Sequence, residues 1–131
     1  MSTTGDQINQ KIDVPAIGCQ FVNFYFQNLK ENINNLYSSK MIKKHTRLKY
    51  KNLEYKEQAL QNILIEIGTT LQFFIEDILV MDSGARRADI LVHGHLIQNG
   101  QDKKYRFSQY FTIANNHDDW FIHNSLLSIL D

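Results

Sequence analysis

Three runs in the second half of the chain alternate apolar and polar residues: Ala88 to Gln98, Tyr105 to Ala114 and Trp120 to Leu130. Asn99-Gly100 separates the first pair, and Asn115-Asn116-His117-Asp118-Asp119 the second. Period-two patterning broken by short turn sequences predicts antiparallel strands in a meander. The first half carries a different period. Asp13-Val14-Pro15 suits a helix start, because Asp can accept from free amides and Pro is tolerated in the first turn. Ile17, Phe21, Phe24 and Asn28 follow at helical spacing, with Val22, Tyr25 and Leu29 widening the stripe. Phe24-Tyr25-Phe26 is too aromatic for one narrow face, so one of these rings should meet a second element or a cavity.

Asn32 to Tyr37 predicts a second, short helix. Met41 to Tyr55 is basic and alternating, which predicts one or two short edge strands around Thr46 to Tyr50. Lysines on such an edge discourage strand-to-strand aggregation. Glu57 to Ile67 predicts a third helix, with Leu60, Ile63, Leu64 and Ile67 at i, i+3, i+4 and i+7. Gly68 suits the left-handed position that closes it. Thr70 to Met81 predicts a long strand: Leu71, Phe73 and Ile75 alternate, and Ile78-Leu79-Val80-Met81 is apolar on both faces. Asp82-Ser83-Gly84-Ala85 supplies the turn into the meander. Helices therefore come first and a sheet follows, an α+β order.

Strand alternation sorts the faces of the sheet. Tyr105, Phe107, Gln109, Phe111 and Ile113 share one side, and Arg106, Ser108, Tyr110 and Thr112 the other. Ile90, Val92, Gly94 and Leu96 share a side, opposite Leu91, His93, His95 and Ile97. Gly94 inside a strand predicts a bulge or bend. The outer set mixes His, Tyr, Thr and aliphatic residues, which resembles an interface more than a solvated face.

Charge and cysteine narrow the picture. Fourteen basic residues balance fourteen acidic ones over 131 residues, enough chain for one domain. No basic surplus marks the chain for nucleic acid, and direct nucleic-acid binding is not expected. Lys40, Lys43, Lys44, Arg47, Lys49 and Lys51 form a local basic cluster that an exposed edge explains as well. One cysteine, Cys19, excludes an intramolecular disulfide and reads as a buried core thiol in a reducing compartment. No run is long and apolar enough for a membrane-spanning helix, and no membrane partner is expected. Residues 1–12 are polar and read as a disordered lead, leaving 13–131 as the domain.

Candidate chemistry is sparse. His93 and His95 lie on one side of one strand, and His123 would have to join them to leave an open zinc position. Two His on one face arise easily by chance, so no metal is expected. There is no Gly-x-Ser-x-Gly elbow and no Gly-rich phosphate loop. Acid-base chemistry inside a curved sheet would draw on Asp77, Asp89, His123, Tyr37, Tyr50 or Tyr105, most of which read as structural. The expectation is a non-enzyme without a cofactor.

Several segments together resemble the nuclear transport factor 2 family over Ile17 to Leu130. They are Gly18-Cys19-Gln20-Phe21-Val22-Asn23-Phe24-Tyr25-Phe26, Leu36-Tyr37, Tyr55-Lys56-Glu57-Gln58-Ala59-Leu60, Gly94-His95-Leu96, Phe107-Ser108-Gln109-Tyr110-Phe111 and Trp120-Phe121-Ile122-His123-Asn124. The resemblance implies a cone-shaped roll, three N-terminal helices packed on a strongly bent antiparallel sheet. It implies dimerisation through the outer sheet face, with Leu91, His93, His95, Tyr110 and Leu126 as partner-binding residues and Leu126 at a family interface position. It implies a nucleocytoplasmic transport module at the nuclear pore, in nucleus and cytoplasm. Such a module would pair with itself or a larger export receptor and hold Phe-Gly repeats of nucleoporins. The family also includes interaction domains of stress-granule and deubiquitinase-cofactor scaffolds, and more distant isomerases and dehydratases use the cone cavity. Both remain alternatives.

Departures from the family pattern refine this. The import factor for the GTPase Ran presents acidic residues where this chain has Leu48-Lys49-Tyr50-Lys51 and Gln98-Asn99-Gly100-Gln101-Asp102-Lys103-Lys104. Those lysines count against Ran. Lys56 replaces the usual glycine before the third helix. Asn124-Ser125 and Leu127-Ser128 replace the usual Asn-Asp and Phe-Arg. The basic turn from Gly100 to Arg106 is more like the small mRNA-export subunit and the scaffold domains.

Overall fold

A computed structural model describes residues 13–117 and 119–130; the lead expected for 1–12 lies outside the described residues. The elements are α1 (Val14–Glu31), α2 (Asn34–Ser38), β1 (Arg47–Tyr50), β2 (Leu53–Lys56), α3 (Glu57–Thr70), β3 (Leu71–Gly84), β4 (Arg87–Gln98), β5 (Lys104–Asn115) and β6 (Trp120–Leu130). The strands form one six-stranded sheet in the order β2-β1-β6-β5-β4-β3. Its strands pair antiparallel except β1 and β6, which run parallel. Thr46 explains how β1 reaches that position. Its hydroxyl donates to the Ile122 carbonyl at 2.6 Å and accepts from the Lys43 amide at 2.9 Å, so the chain leaving the helices is fastened beside the start of β6.

Asp13 caps α1 by accepting from the Ala16 amide at 3.2 Å, with Pro15 in the first turn. Phe21, Val22, Tyr25 and Leu29 of α1 are buried. Of the aromatic triplet, Tyr25 is buried, and Phe26 reaches the sheet, 5.1 Å from Phe73 and 6.0 Å from Phe107 between ring centroids. Phe111 lies 5.0 Å from Tyr25 in an edge-to-face pair, a geometry that adds about 1 kcal/mol beyond area burial. Asn35 donates to Asn28 at 2.8 Å and fastens α2 to α1.

Helix α3 buries Leu60, Ile63, Leu64 and Ile67, as its periodicity predicts. Gly68 does not close it. The helix continues to Thr70, with the Thr69 and Thr70 hydroxyls donating back to the Ile65 and Glu66 carbonyls. Gly68 instead marks a helix crossing, because a Cβ there would collide with the Leu29 carbonyl of α1. Cys19 is half-buried rather than fully buried, being placed at the margin of the apolar stripe of α1.

Gly94 performs the bend expected of it, at a site shared with β3. The pairing of β3 with β4 shifts between Ile75 and Asp77, leaving Glu76 as the extra residue of a bulge. A Cβ on Gly94 would meet the Phe74 carbonyl and the Phe107 ring. The bulge also explains the doubly apolar end of β3. Phe73 and Ile75 point to the helices before it; Ile78 and Val80 do so after it, which leaves Leu79 and Met81 outside.

Candidate partner interface on the outer sheet face

The meander turns Ile90, Val92, Leu96, Phe107, Gln109, Phe111, Ile113 and Leu127 inward, where all are buried. The alternate residues are thereby presented on the face away from the helices. There, register brings Leu79, Leu91, Tyr110 and Leu126 opposite one another on β3, β4, β5 and β6. Three strand spacings make this row about 14 Å long. Leu79 is 51 % exposed, Tyr110 37 % and Leu126 45 %. Met81, Phe74 and Leu130 add exposed apolar surface on neighbouring rows. His93 stands opposite Asp77 and Ser108, and His95 opposite Phe74 and Arg106. All five residues expected to bind a partner therefore share one face. Three of them, Leu91, Tyr110 and Leu126, lie in a single cross-strand row.

Polar side chains hold this face in shape. Asp89 accepts from the Tyr110 hydroxyl at 2.7 Å, Ser83 at 2.7 Å and Thr112 at 3.2 Å. Hydrogen bonds from Ser83 and then Tyr110 keep its carboxyl below the ordinary value of 3.8. Tyr110 is thus tied down at its tip while its ring stays on the surface. Thr112, grouped with the outer residues by alternation, is buried beneath this network. His95 stacks on Phe74 at 4.8 Å, and its Nδ1 lies 2.7 Å from Glu76 Oε2. That hydrogen bond holds the Glu76 carboxyl below its ordinary range. It requires the proton on Nδ1, because a carboxylate can only accept.

An open groove of about 330 Å³ lies at the β6 end of the row, lined by Tyr110, Asn124, Ser125, Leu126, Arg47, Lys49 and Glu54. Lys49 stands opposite Leu126, and Arg47 pairs with Glu54 at 3.3 Å. The basic cluster divides. Arg47 and Lys49 edge the outer face, Lys43 sits over Phe121 at 4.8 Å and Lys51 over Tyr50 at 5.3 Å.

The residues weighed for metal and acid-base chemistry do not assemble. His123 lies at the register shift of β6 beside Ile122 and Asn124, five residues from the Ser128 that shares a row with His93. Five strand residues are about 16 Å, too far for a shared ion. Among the described residues no group of three His, Cys, Asp or Glu could hold a metal. Asp77 and Asp89 belong to the outer face, and Tyr50 is a core residue. Inside the cone, Gln109 Nε2 donates to Ser125 Oγ at 2.9 Å and to the Tyr25 hydroxyl at 3.5 Å. Burial pushes the Tyr25 phenol up to about 12, although Gln109 opposes it. The Tyr37 hydroxyl is buried without a hydrogen-bond partner among the described residues, and burial raises its pKa.

The Nuclear transport factor 2 (NTF2) domain profile matches residues 17–129. The chain belongs to the nuclear transport factor 2 domain family. Solved structures with this NTF2-like fold include nuclear transport factor 2 from Cryptosporidium parvum, with a TM-score of 0.71 and 20 % identity over 88 % of this chain and 94 % of that one. The yeast UBP3-associated protein Bre5 superimposes with a TM-score of 0.74 and 16 % identity, over 92 % of this chain and 99 % of that one. A candidate scytalone dehydratase from Novosphingobium aromaticivorans gives 0.66 and 13 %, over 86 % and 80 %. At these identities the likeness is one of fold, and the fold carries both binding proteins and enzymes. No curated protein sequence matches the chain significantly.

Sequence alternation alone located the row from Leu91 to Leu126. It missed Glu76, whose place depends on a bulge that alternation cannot reveal. Leu79 and Met81 did carry a signal, since an apolar run on both faces of a strand implies that one face waits for cover.

Proposed function

We propose that this NTF2-like chain is a non-enzymatic nucleocytoplasmic transport module, most like the small mRNA-export subunit, working at the nuclear pore between nucleus and cytoplasm. It dimerises through the outer sheet face, with itself or a larger export receptor, and holds Phe-Gly repeats of nucleoporins in an apolar groove. Leu91, His93, His95, Tyr110 and Leu126 contact the partner. The observation that carries this reading is the exposed apolar row of Leu79, Leu91, Tyr110 and Leu126 on a face no other element of the described chain covers. Apolar surface of this kind, rimmed by charge, is typical of protein interfaces. The non-enzymatic side draws support from the buried polar side chains, Asn28, Thr46, Gln109, Thr112 and Ser125, which are amides and hydroxyls. The Asp77 and Asp89 carboxylates face outward instead.

Lysines at 49, 103 and 104 disfavour Ran, as a partner that the family's acidic residues would meet. The same basic turn suits a second reading, an interaction domain of a stress-granule or deubiquitinase-cofactor scaffold, of which Bre5 is a structural relative. Affinity capture from native lysate with the tagged chain, reading stoichiometric partners by mass spectrometry, tests the choice. A large export receptor together with Phe-Gly nucleoporins supports the transport reading. Stoichiometric Ran, or a deubiquitinase without nucleoporins, overturns it.

A further inference from the structure

We propose that the outer face takes a second copy of this chain in one orientation, with the basic β1 edge of each copy over the acidic β3 edge of the other. This rests on the outer face being an interface, and adds which partner and which alignment. The face is electrically divided. At one edge stand Arg47 and Lys49, with Glu54 engaged by Arg47. At the other edge stand Glu76 and Asp77, on either side of the same bulge step. Between them runs the uncharged row of Leu79, Leu91, Tyr110 and Leu126.

A face-to-face dimer of identical chains is self-complementary, and its two-fold axis lies in the plane between the sheets. Packed sheets keep their strands within about 30° of alignment, which leaves the axis along the strands or across them. An axis across the strands places each edge on its own counterpart, Lys49 near Lys49 and Asp77 near Asp77. Both contacts repel in a partly desolvated interface. An axis along the strands exchanges the edges and keeps the rows in register. Lys49 then approaches Asp77 of the other copy, one row away, and the two leucine-tyrosine rows cover each other. The zero net charge of the chain sets up no long-range repulsion against the pairing.

Lys49→Glu and Asp77→Lys test the alignment, because both side chains are exposed and neither supports the core. Sedimentation velocity over a concentration series at low ionic strength reads the dimer dissociation constant, with circular dichroism confirming the fold of each variant. Each single reversal should weaken the dimer by about tenfold or more, and the double variant should recover to within about threefold of wild type. Unchanged single variants, or a double variant as weak as the worse single one, overturn the alignment. A wild-type chain that stays monomeric up to high concentration, yet binds a larger receptor that Leu126→Glu abolishes, overturns the self-pairing while the outer-face reading stands. Failure of Leu126→Glu to alter any assembly sinks both.

Discussion

Replacing Gly94 by Ala should destabilise the fold by about 2 kcal/mol. The added methyl would point at two neighbours, the Phe74 carbonyl of β3 and the ring of Phe107. Neither can give way cheaply. The carbonyl is backbone beside the Glu76 bulge, and the Phe107 ring is held by Phe73 at 5.0 Å and Phe26 at 6.0 Å. Forcing extra carbon into packed surroundings costs about 1–3 kcal/mol, and backbone collision places this site in the upper half of that range. Ala regains about 0.5 kcal/mol through lower chain entropy in the unfolded state. In urea, with a slope of about 2 kcal/mol per molar, the midpoint should fall by about 1 M. A midpoint within about 0.2 M of wild type, at an unchanged slope, would refute the assignment of Gly94 as the close-approach point of the bend.

Gly68→Ala should destabilise comparably in the same urea titration, since its methyl would strike the Leu29 carbonyl where α3 crosses α1; a stabilised variant would mean Gly68 is an ordinary helix interior glycine. Tyr37→Phe should leave stability within about 0.5 kcal/mol or raise it, because the buried hydroxyl it removes has no partner, whereas Tyr25→Phe should cost about 1 kcal/mol with the loss of the Gln109 contact. Asp89→Asn should cost about 1 kcal/mol at neutral pH. The Asp89 carboxyl is held below 3.8 when folded, so its contribution is present above that pH and is lost as pH falls through the lower folded value. The gap between wild type and variant in thermal melts should therefore close below about pH 4, and a gap constant down to pH 3 would contradict the hydrogen-bond assignment.

Long periodic elements were legible in the sequence. The expected strand Trp120 to Leu130 coincides with β6, and the expected boundaries of β4 and β5 differ by one residue at most at each end. Periodicity succeeds there because one face of each strand is buried and the other is not. Three features were not legible, each for a physical reason. The parallel pairing of β1 with β6 depends on the Thr46 bond to Ile122, a contact across 76 residues. Gly68 looks like a helix terminator in sequence, yet its role is set by the helix it crosses. The Asp89 network and the Glu76–His95 pair arise from neighbours on adjacent strands, so they require register as well as alternation. The five partner-face residues were legible for the opposite reason: an apolar side chain on the outer parity of a strand is visible without knowing its neighbours.

The central claim is that the outer sheet face is an interface. Light scattering coupled to size exclusion, run on wild type and on Leu126→Glu with any receptor recovered by affinity capture, tests it most directly. Leu126 is exposed in the single chain, so the substitution should leave the monomer folded. In the assembly, the glutamate would be buried without a partner, which costs several kcal/mol. A wild-type assembly that falls to the mass of the 15.4 kDa chain in the variant is the predicted result. An assembly of unchanged mass in a folded Leu126→Glu variant would contradict it.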